Sequence, residues 1–232
     1  MVGTRMVGTR IIMGDTTALI RLLTWLSPAF PVGAFAYSAG LEQAVADRIV
    51  TNQQSLSEWL TAVLTHGGGW NDAVLLAESH AAGNDGERLR EANALALALP
   101  GSRERFQETV FQGQAFLSAA AQWPSGSIAA LDGDVAYPVA VGSVAAMHDV
   151  ALGDTLAAYL HALVSNAVSA GIRLSVIGQT DGLTILSTLE TLVRDSANRA
   201  AQSTLDDLGS AAIVADICSL RHEVMPVRLF RS

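Results

Sequence analysis

Cys218 and His222 come nearest, by residue type and spacing, to a metal site in this sequence. They stand four residues apart in a stretch with helical periodicity, so both side chains would lie on one helix face, next to the carboxylate of Glu223. Protein metal sites usually take three or four ligands, and no second group of ligands lies close in the sequence. Cys218 and His222 are therefore weak metal candidates. The simpler explanation is a buried cysteine and a histidine at a helix end.

Residues 66–69, His-Gly-Gly-Gly, match the loop that offers backbone N–H groups to an oxyanion in some esterases. That loop works with a G-x-S-x-G nucleophile turn, which this sequence lacks, so a glycine-rich helix end is favoured. A phosphate-binding P-loop needs a lysine, and all fourteen basic residues here are arginines. We therefore predict no catalytic residue, no cofactor and no enzyme, with a helical hydrolase as an alternative.

Arg173 is the charged residue in the apolar run 171–177, Gly-Ile-Arg-Leu-Ser-Val-Ile. Its guanidinium is expected either to pair internally, with a carboxylate such as Glu42 or Asp181, or to point outward as an anchor for a partner protein. The C-terminal tail, residues 228–232, poses a similar choice. Its two arginines around Leu-Phe could fray in solvent or dock into a groove.

Composition limits the possible partners and the compartment. The chain of 232 residues has a net charge of −8, which argues against nucleic-acid binding because phosphate contacts need a basic face. One cysteine excludes an internal disulfide and predicts a reducing, cytoplasmic setting. The charge-free runs 109–131 and 155–172 contain polar residues, so we predict no membrane span. Half of the residues are apolar, which favours an oligomer or a permanent partner.

Helical periodicity recurs along the chain, and no stretch alternates apolar and polar residues over the length of a strand. The sequence predicts an all-α, single-domain, irregular bundle of about nine or ten helices over residues 15–232. Residues 1–14 are set apart as an N-terminal extension, since Met-Val-Gly-Thr-Arg occurs twice at the start. Among the predicted helices are residues 35–47, residues 137–152, and residues 183–208, and a capping box is predicted at residues 55–58.

Residues 27–42, which we call the proline–glycine segment, interrupt this helical pattern. Pro28 and Pro31 disfavour helical geometry at the residues before them, so the chain must leave one helix and run extended before entering the next. The segment also carries Phe30, Phe35 and Tyr37, which makes it too apolar for an ordinary solvated loop. It is expected to pack under other helices, to contact a partner, or both.

Several motifs, in their order and spacing over about residues 15–232, resemble the urease accessory protein UreF family. They are Phe-Pro-Val-Gly-x-Phe-x-Tyr-Ser-x-Gly-Leu-Glu at 30–42, Tyr-Pro-Val-Ala-Val-Gly at 137–142, Tyr-Leu-His at 159–161 with Ser-Asn at 165–166, Arg-Leu at 173–174, Gly-Gln-Thr-Asp-Gly at 178–182, and the ending His-Glu at 222–223 with Arg-Leu-Phe-Arg-Ser at 228–232. The resemblance implies an all-helical, non-enzymatic protein of urease maturation. It also implies a homodimer that binds the accessory protein UreD (UreH in some bacteria), the nickel-carrying GTPase UreG and apo-urease, and that modulates the GTPase.

The resemblance also implies which residues bind partners. The proline–glycine segment and the face with Tyr159 and His161 correspond to surface that faces UreG, Arg173 to a basic position tied to GTPase control, and the tail to a buried or interface-ordered element. The residues carried over are Phe35, Tyr37, Glu42, Tyr159, His161, Arg173, Gln179, Asp181, Arg228, Phe230 and Arg231. The alternative function is a nickel-binding metallochaperone that uses Cys218 and His222.

Overall fold

The computed structural model describes residues 16–123 and 131–232, and over these ranges it is all-α, as predicted. Ten α-helices and two short 3-10 helices account for its regular structure, without any strand in the described ranges. The α-helices are α1 (Thr16–Trp25), α2 (Leu41–Ala46), α3 (Gln53–His66), α4 (Gly68–Ala82), α5 (Gly86–Ala98), α6 (Arg103–Ala120), α7 (Tyr137–Met147), α8 (Leu152–Arg173), α9 (Gln179–Ala200) and α10 (Ile213–His222). The N-terminal extension lies outside the described residues.

Helices α4 and α7 form the centre of the bundle, and both are largely buried. They approach so closely at Gly142 that a Cβ built there would lie 2.4 Å from the carbonyl oxygen of Leu76. Gly113 of α6 is equally restricted, because its Cβ would lie 2.0 Å from the carbonyl oxygen of Val135. These glycines let three backbones meet at separations that any side chain would prevent. Around this centre, α8 packs along α9, and α10 packs on α2.

The predicted single helix over residues 35–47 is wrong. The chain forms a 3-10 turn at Ala34–Ala36, runs extended through Tyr37, and enters α2 only at Leu41. Gly33 and Gly40 have positive φ values of 74° and 83°, and Ala39 has a φ of 53°, all in the left-handed region that interrupts a right-handed helix. At Gly40 a Cβ would lie 2.9 Å from the backbone nitrogen of Ser219, so this break also lets α10 approach.

Other predicted helix boundaries shift by a few residues. The N-terminus of α3 is capped by Asn52 and Ser55, three residues earlier than the predicted capping box. Helix α7 ends at Met147 instead of continuing to about residue 152, because the chain turns at Asp149 with a φ of 54°. Helix α9 starts at Gln179 and ends at Ala200, before a separate 3-10 turn at Leu205–Asp207.

By length and composition alone, α8 could cross a membrane, although the sequence analysis set this stretch aside as too polar. In the most apolar window of α8, 44% of the residues are buried inside the protein. Its contacts with α9, α4 and α3 are those of a core helix in a helical bundle. The packing of α8 against these helices therefore argues against a membrane-spanning role, whereas its composition does not.

Candidate protein-binding site

The C-terminal tail, residues 228–232, docks against the proline–glycine segment. The Arg231 N–H donates to the Ala36 carbonyl oxygen at 2.8 Å, and the Ser38 N–H donates to the Ser232 carbonyl oxygen at 3.0 Å. The Ser38 hydroxyl donates to the same Ser232 oxygen. The Ser232 hydroxyl donates to Glu108 of α6 at 2.7 Å. Of the two options that the sequence left open for the tail, the structure therefore shows the docked one.

Glu42, in the first turn of α2, binds the tail through its carboxylate. Its two oxygens accept the backbone N–H groups of Leu229 at 2.7 Å and Phe230 at 2.9 Å. Burial alone would raise the pKa of Glu42, but these two N–H groups and the ring of His222 outweigh it and lower the pKa below its usual value. Glu42 is thus ionised at neutral pH, and its charge is used to hold the tail.

His222 joins Glu42 to a second buried carboxylate. Its ring has no exposed surface, with Nε2 3.0 Å from Glu42 and Nδ1 2.6 Å from Glu104 of α6. Arg228 of the tail forms a salt bridge with the other oxygen of Glu104. Each ring nitrogen of His222 is thus within hydrogen-bond distance of one of the two carboxylates. We call Glu42, Glu104, His222 and Arg228 the carboxylate cluster.

This cluster bears directly on the proposed metal pair. His222 already binds a carboxylate at each ring nitrogen, and Cys218 is buried, with burial raising the pKa of its thiol. Within residues 16–123 and 131–232, no group of three or more histidine, cysteine, aspartate or glutamate side chains is arranged to hold a metal ion. The cluster is therefore better described as an ion-pair network that joins α2, α6 and α10 to the tail.

Arg173, at the end of α8, pairs with neither of the carboxylates that the sequence suggested. Its guanidinium donates to the carbonyl oxygen of Phe35 and lies 4.2 Å from the centre of the Phe230 ring. The side chain of Phe35 is 67% exposed next to it. Arg173 therefore bridges the proline–glycine segment and the tail on one surface, which we call the Phe35–Arg173 surface.

The predicted partner-binding residues divide into an exposed group and a buried group. The exposed residues are Phe35, His161, Arg173, Gln179, Arg228 and Arg231. Tyr37, Glu42, Tyr159 and Phe230 are buried, and Asp181 is partly buried where it accepts the Gly178 N–H at the start of α9. Phe35, Tyr37, Glu42, Arg173, Arg228, Phe230 and Arg231 come together around the docked tail. Gln179 and Asp181 have no described contact with the tail.

Tyr159 belongs to a cleft of about 1080 Å³ that reaches inward between α1, α3, α6 and α8. Its hydroxyl donates to Asp72 of α4 at 2.9 Å. Burial raises the pKa of Asp72 to about 6, against the opposing effects of Arg105 and Tyr159. Arg105 in turn forms a salt bridge with Glu108 at 2.5 Å. Sequence reasoning named Tyr159 but missed Asp72, Arg105 and Glu108, although the spacing of Arg105 and Glu108 on one helix face favours such a pair.

Two apolar surfaces complete the description. On α1, Leu19, Ile20 and Leu23 are more than half exposed. On α10 and the residues after it, an apolar stripe at helical spacing is exposed, made of Ile213, Ile217, Leu220 and Val224. Exposed apolar surface of this extent is typical of proteins that bind other proteins. The described residues thus form an all-α protein whose exposed apolar surfaces are suited to contact with other proteins.

Comparison with known proteins gives the family. A family model described as UreF matches residues 50–190. The urease accessory protein UreF of Rhizobium leguminosarum bv. viciae is 58% identical over 218 residues, which cover 94% of this chain and 98% of that protein. The UreF proteins of Rhizobium meliloti and Agrobacterium fabrum are each 53% identical and cover 94% and 93% of the chain, and 98% and 96% of their own lengths. The chain belongs to the urease accessory protein UreF family.

Proposed function

We propose that this protein is a urease maturation factor that works by binding other proteins and not by catalysis. It links UreD (UreH) and the GTPase UreG to apo-urease for nickel insertion, and it modulates the GTPase. The observation that carries the proposal is the identity of 53–58% to relatives named urease accessory protein UreF over more than nine tenths of the chain. Because so much of the sequence is shared over the whole length, a common role is favoured.

The Phe35–Arg173 surface supports this proposal at the level of residues. An exposed aromatic ring beside an arginine is a combination enriched at the centres of protein interfaces. We assign direct partner contact to the exposed residues Phe35, His161, Arg173, Gln179 and Arg231. The others support the surface from beneath: Glu42, Arg228 and Phe230 fix the tail, Tyr37 and Tyr159 pack inside, and Asp181 caps α9.

The proposal includes a cytoplasmic homodimer. The exposed apolar faces of α1 and α10 support an assembly, since a larger complex would bury them. The single, buried cysteine is compatible with a reducing compartment. Sedimentation of the purified protein over a concentration series tests the dimer, and a monomer at every concentration would contradict it.

Co-purification with UreD and UreG is the most direct test of the function. We expect the tagged protein to retain both partners, and Phe35→Ala and Arg173→Ala to weaken retention of UreG by at least about tenfold, as expected for interface hot spots. Arg194→Ala is the matched control, because Arg194 is exposed on α9 and pairs only locally with Asp195. Failure of the unaltered protein to retain any of these partners would refute the assignment.

The role of Arg173 in GTPase control has its own experiment. If the guanidinium acts on the GTPase, then Arg173→Ala changes both UreG turnover and the nickel content of urease, while Arg173→Lys restores only part of the effect. Unchanged turnover and nickel content in Arg173→Ala would rule out this role.

The metallochaperone alternative is tested by equilibrium dialysis of the purified protein with nickel. Tight nickel binding that is abolished in Cys218→Ser would favour a metallochaperone over a scaffold.

A further inference from the structure

Helix α1 is anchored at its C-terminal end by one aromatic side chain. Trp25 is 1% exposed, and its ring centre lies 6.4 Å from that of Phe116, 5.9 Å from Trp123 and 5.2 Å from the His148 ring. His148 forms the C-terminal cap of α7. The guanidinium of Arg21, one turn earlier on α1, donates to the carbonyl oxygen of His148 at 3.1 Å. The attachment of α1 thus depends on the turn that contains His148.

The contact between Trp25 and His148 contains two buried polar nitrogen atoms. The indole Nε1 of Trp25 and the Nε2 of His148 are both buried, and neither has a hydrogen-bond partner among the described residues. A charged imidazole at this position would bring a buried positive charge among aromatic rings, and residues 16–123 and 131–232 offer no acceptor for its Nε2 proton. The site therefore favours the neutral form of His148.

The charged groups around His148 strengthen this preference. Arg21 faces it from α1 and Asp149 follows it in the turn. His80 of α4 binds the same turn, through Nε2 to the Val150 carbonyl oxygen at 2.8 Å. The α6 side contributes the rings of Phe116 and Trp123. Burial and Arg21 lower the pKa of His148, and Asp149 opposes them only in part.

Release of α1 would change the shape of the cleft. Leu19, Leu22, Leu23 and Leu26 line the cleft from the side of α1, and α1 packs chiefly on α8 among the helices. Opening at α1 would therefore widen the entrance toward the partly buried Asp72 and the buried Tyr159. We propose that His148 makes the docking of α1 acid-sensitive, so that protonation of this histidine opens the α1 wall of the cleft.

The sign of the effect follows from proton linkage. Because the folded, docked state binds the proton of His148 less tightly than the open state, docking is strongest above the ordinary histidine pKa of about 6.5. As the pH falls from that value toward the lowered pKa of the docked state, the docking constant falls by up to about tenfold per pH unit. Below the lowered pKa it falls no further.

Hydrogen–deuterium exchange of the full-length protein tests the proposal, with rates corrected for the intrinsic effect of pH. We expect the amides of residues 16–25 to lose protection several-fold to tenfold between pH 7.5 and pH 5.5 while those of α4 and α7 stay protected. In His148→Gln and in His148→Phe, which do not titrate, this pH dependence should disappear. His80→Gln is the matched control, since it alters the same turn but leaves His148 in place.

Two results would overturn the proposal. One comes from hydrogen exchange: the protection of residues 16–25 does not change with pH in the unaltered protein, or it falls by the same factor in the His148 variants as in the unaltered protein. The other comes from NMR titration of the His148 ring in the unaltered protein, which does not depend on how a variant folds. A pKa for His148 at or above about 6.5 would show that docking does not disfavour its protonation.

Discussion

At the scale of residues, the buried carboxylates near the tail each have a basic partner. Glu42, Glu104 and Glu108 face Arg105, Arg228 and His222, and each carboxylate has at least one of these partners within hydrogen-bond distance. His222 lies between two of these carboxylates, with Nε2 3.0 Å from Glu42 and Nδ1 2.6 Å from Glu104. Buried ion pairs of this kind contribute little net stability when complete, but they are costly to break because one charge is left alone.

His222→Ala should therefore be among the most destabilising single changes in the protein. It leaves Glu42 and Glu104 buried without their shared partner, and the free energy of unfolding should fall by about 3–5 kcal/mol. Urea denaturation followed by circular dichroism measures this. His161→Ala, at an exposed position on α8, should change stability by less than about 0.5 kcal/mol. Equal effects of the two substitutions would contradict the structural role of the cluster.

Substitution of Asp72 should increase stability, in contrast to substitution of His222. The pKa of Asp72 is raised to about 6, so the ionised carboxylate is penalised in the folded protein above that pH, and the penalty is relieved as the pH falls toward the unfolded value near 4. Asp72→Asn keeps an acceptor for the Tyr159 hydroxyl. It should raise the free energy of unfolding by about 1–3 kcal/mol at pH 8, and the difference should nearly vanish by about pH 4.

Chemical denaturation of both proteins at several pH values tests the Asp72 prediction. A lower stability of Asp72→Asn at pH 8 would show that attraction to Arg105 outweighs the cost of burying the charge. Asp195→Asn, at an exposed position, is the control and should show no comparable pH dependence.

The limits of sequence reasoning at this scale are visible in His222. The spacing of Cys218 and His222 correctly places them on one helix, α10, and both are buried. It cannot show that the ring nitrogens are already bound by Glu104 and Glu42, which are 118 and 180 positions away. Partners so distant in sequence are set only by tertiary packing.

At the scale of elements, the helical class follows from periodicity, and the helix ends depend on backbone geometry. The amphipathic pattern of α3, α8 and α9 suffices to predict them, because each buries one face. The break between residues 36 and 41 was missed because it needs left-handed backbone at Ala39 as well as at Gly40. An alanine gives no local indication of such a conformation, which here is held by the tail and by α10.

The contact between α4 and α7 gives a prediction about glycine. Gly142→Ala places a Cβ 2.4 Å from the Leu76 carbonyl oxygen, so two core helices must separate, and stability should fall by about 1–3 kcal/mol or more. Gly153→Ala is the matched control, because its Cβ meets no atom within 4 Å in α8. The control should be neutral or stabilising by up to about 1 kcal/mol, since alanine favours the helix. Thermal unfolding of both variants tests this prediction. An unchanged stability of Gly142→Ala would contradict the close contact between α4 and α7.

At the scale of the whole molecule, the tail connects elements from both halves of the chain. Its five residues contact the proline–glycine segment, α2, α6 and Arg173 of α8, and no local pattern predicts this arrangement. Resemblance to the UreF family implied that the tail is buried or ordered at an interface, but not which groups hold it. The carboxylate of Glu42, for example, accepts two backbone N–H groups of the tail, a contact that the resemblance did not indicate.

Deletion of residues 228–232 should therefore have effects well beyond the tail itself. It removes both N–H donors from Glu42, the guanidinium from Glu104 and the ring beneath Arg173, so stability should fall by about 3–5 kcal/mol. Amides of residues 36–40 should exchange faster, because Ala36 and Ser38 lose their backbone partners. Val227→Ala, at an exposed position just before the tail, should leave both properties unchanged.

A second variant separates loss of charge pairing from loss of packing. The deletion leaves Glu42 and Glu104 with only His222 as their shared partner in the cluster. Adding Glu42→Gln and Glu104→Gln removes this excess of buried negative charge, so part of the lost stability should return even though no contact is restored. The same two substitutions in the full-length protein should be destabilising, since there they remove satisfied charges. If the glutamines lower stability equally with and without the tail, then the carboxylates and the tail are not coupled. The Phe35–Arg173 surface would then be organised by the helices alone.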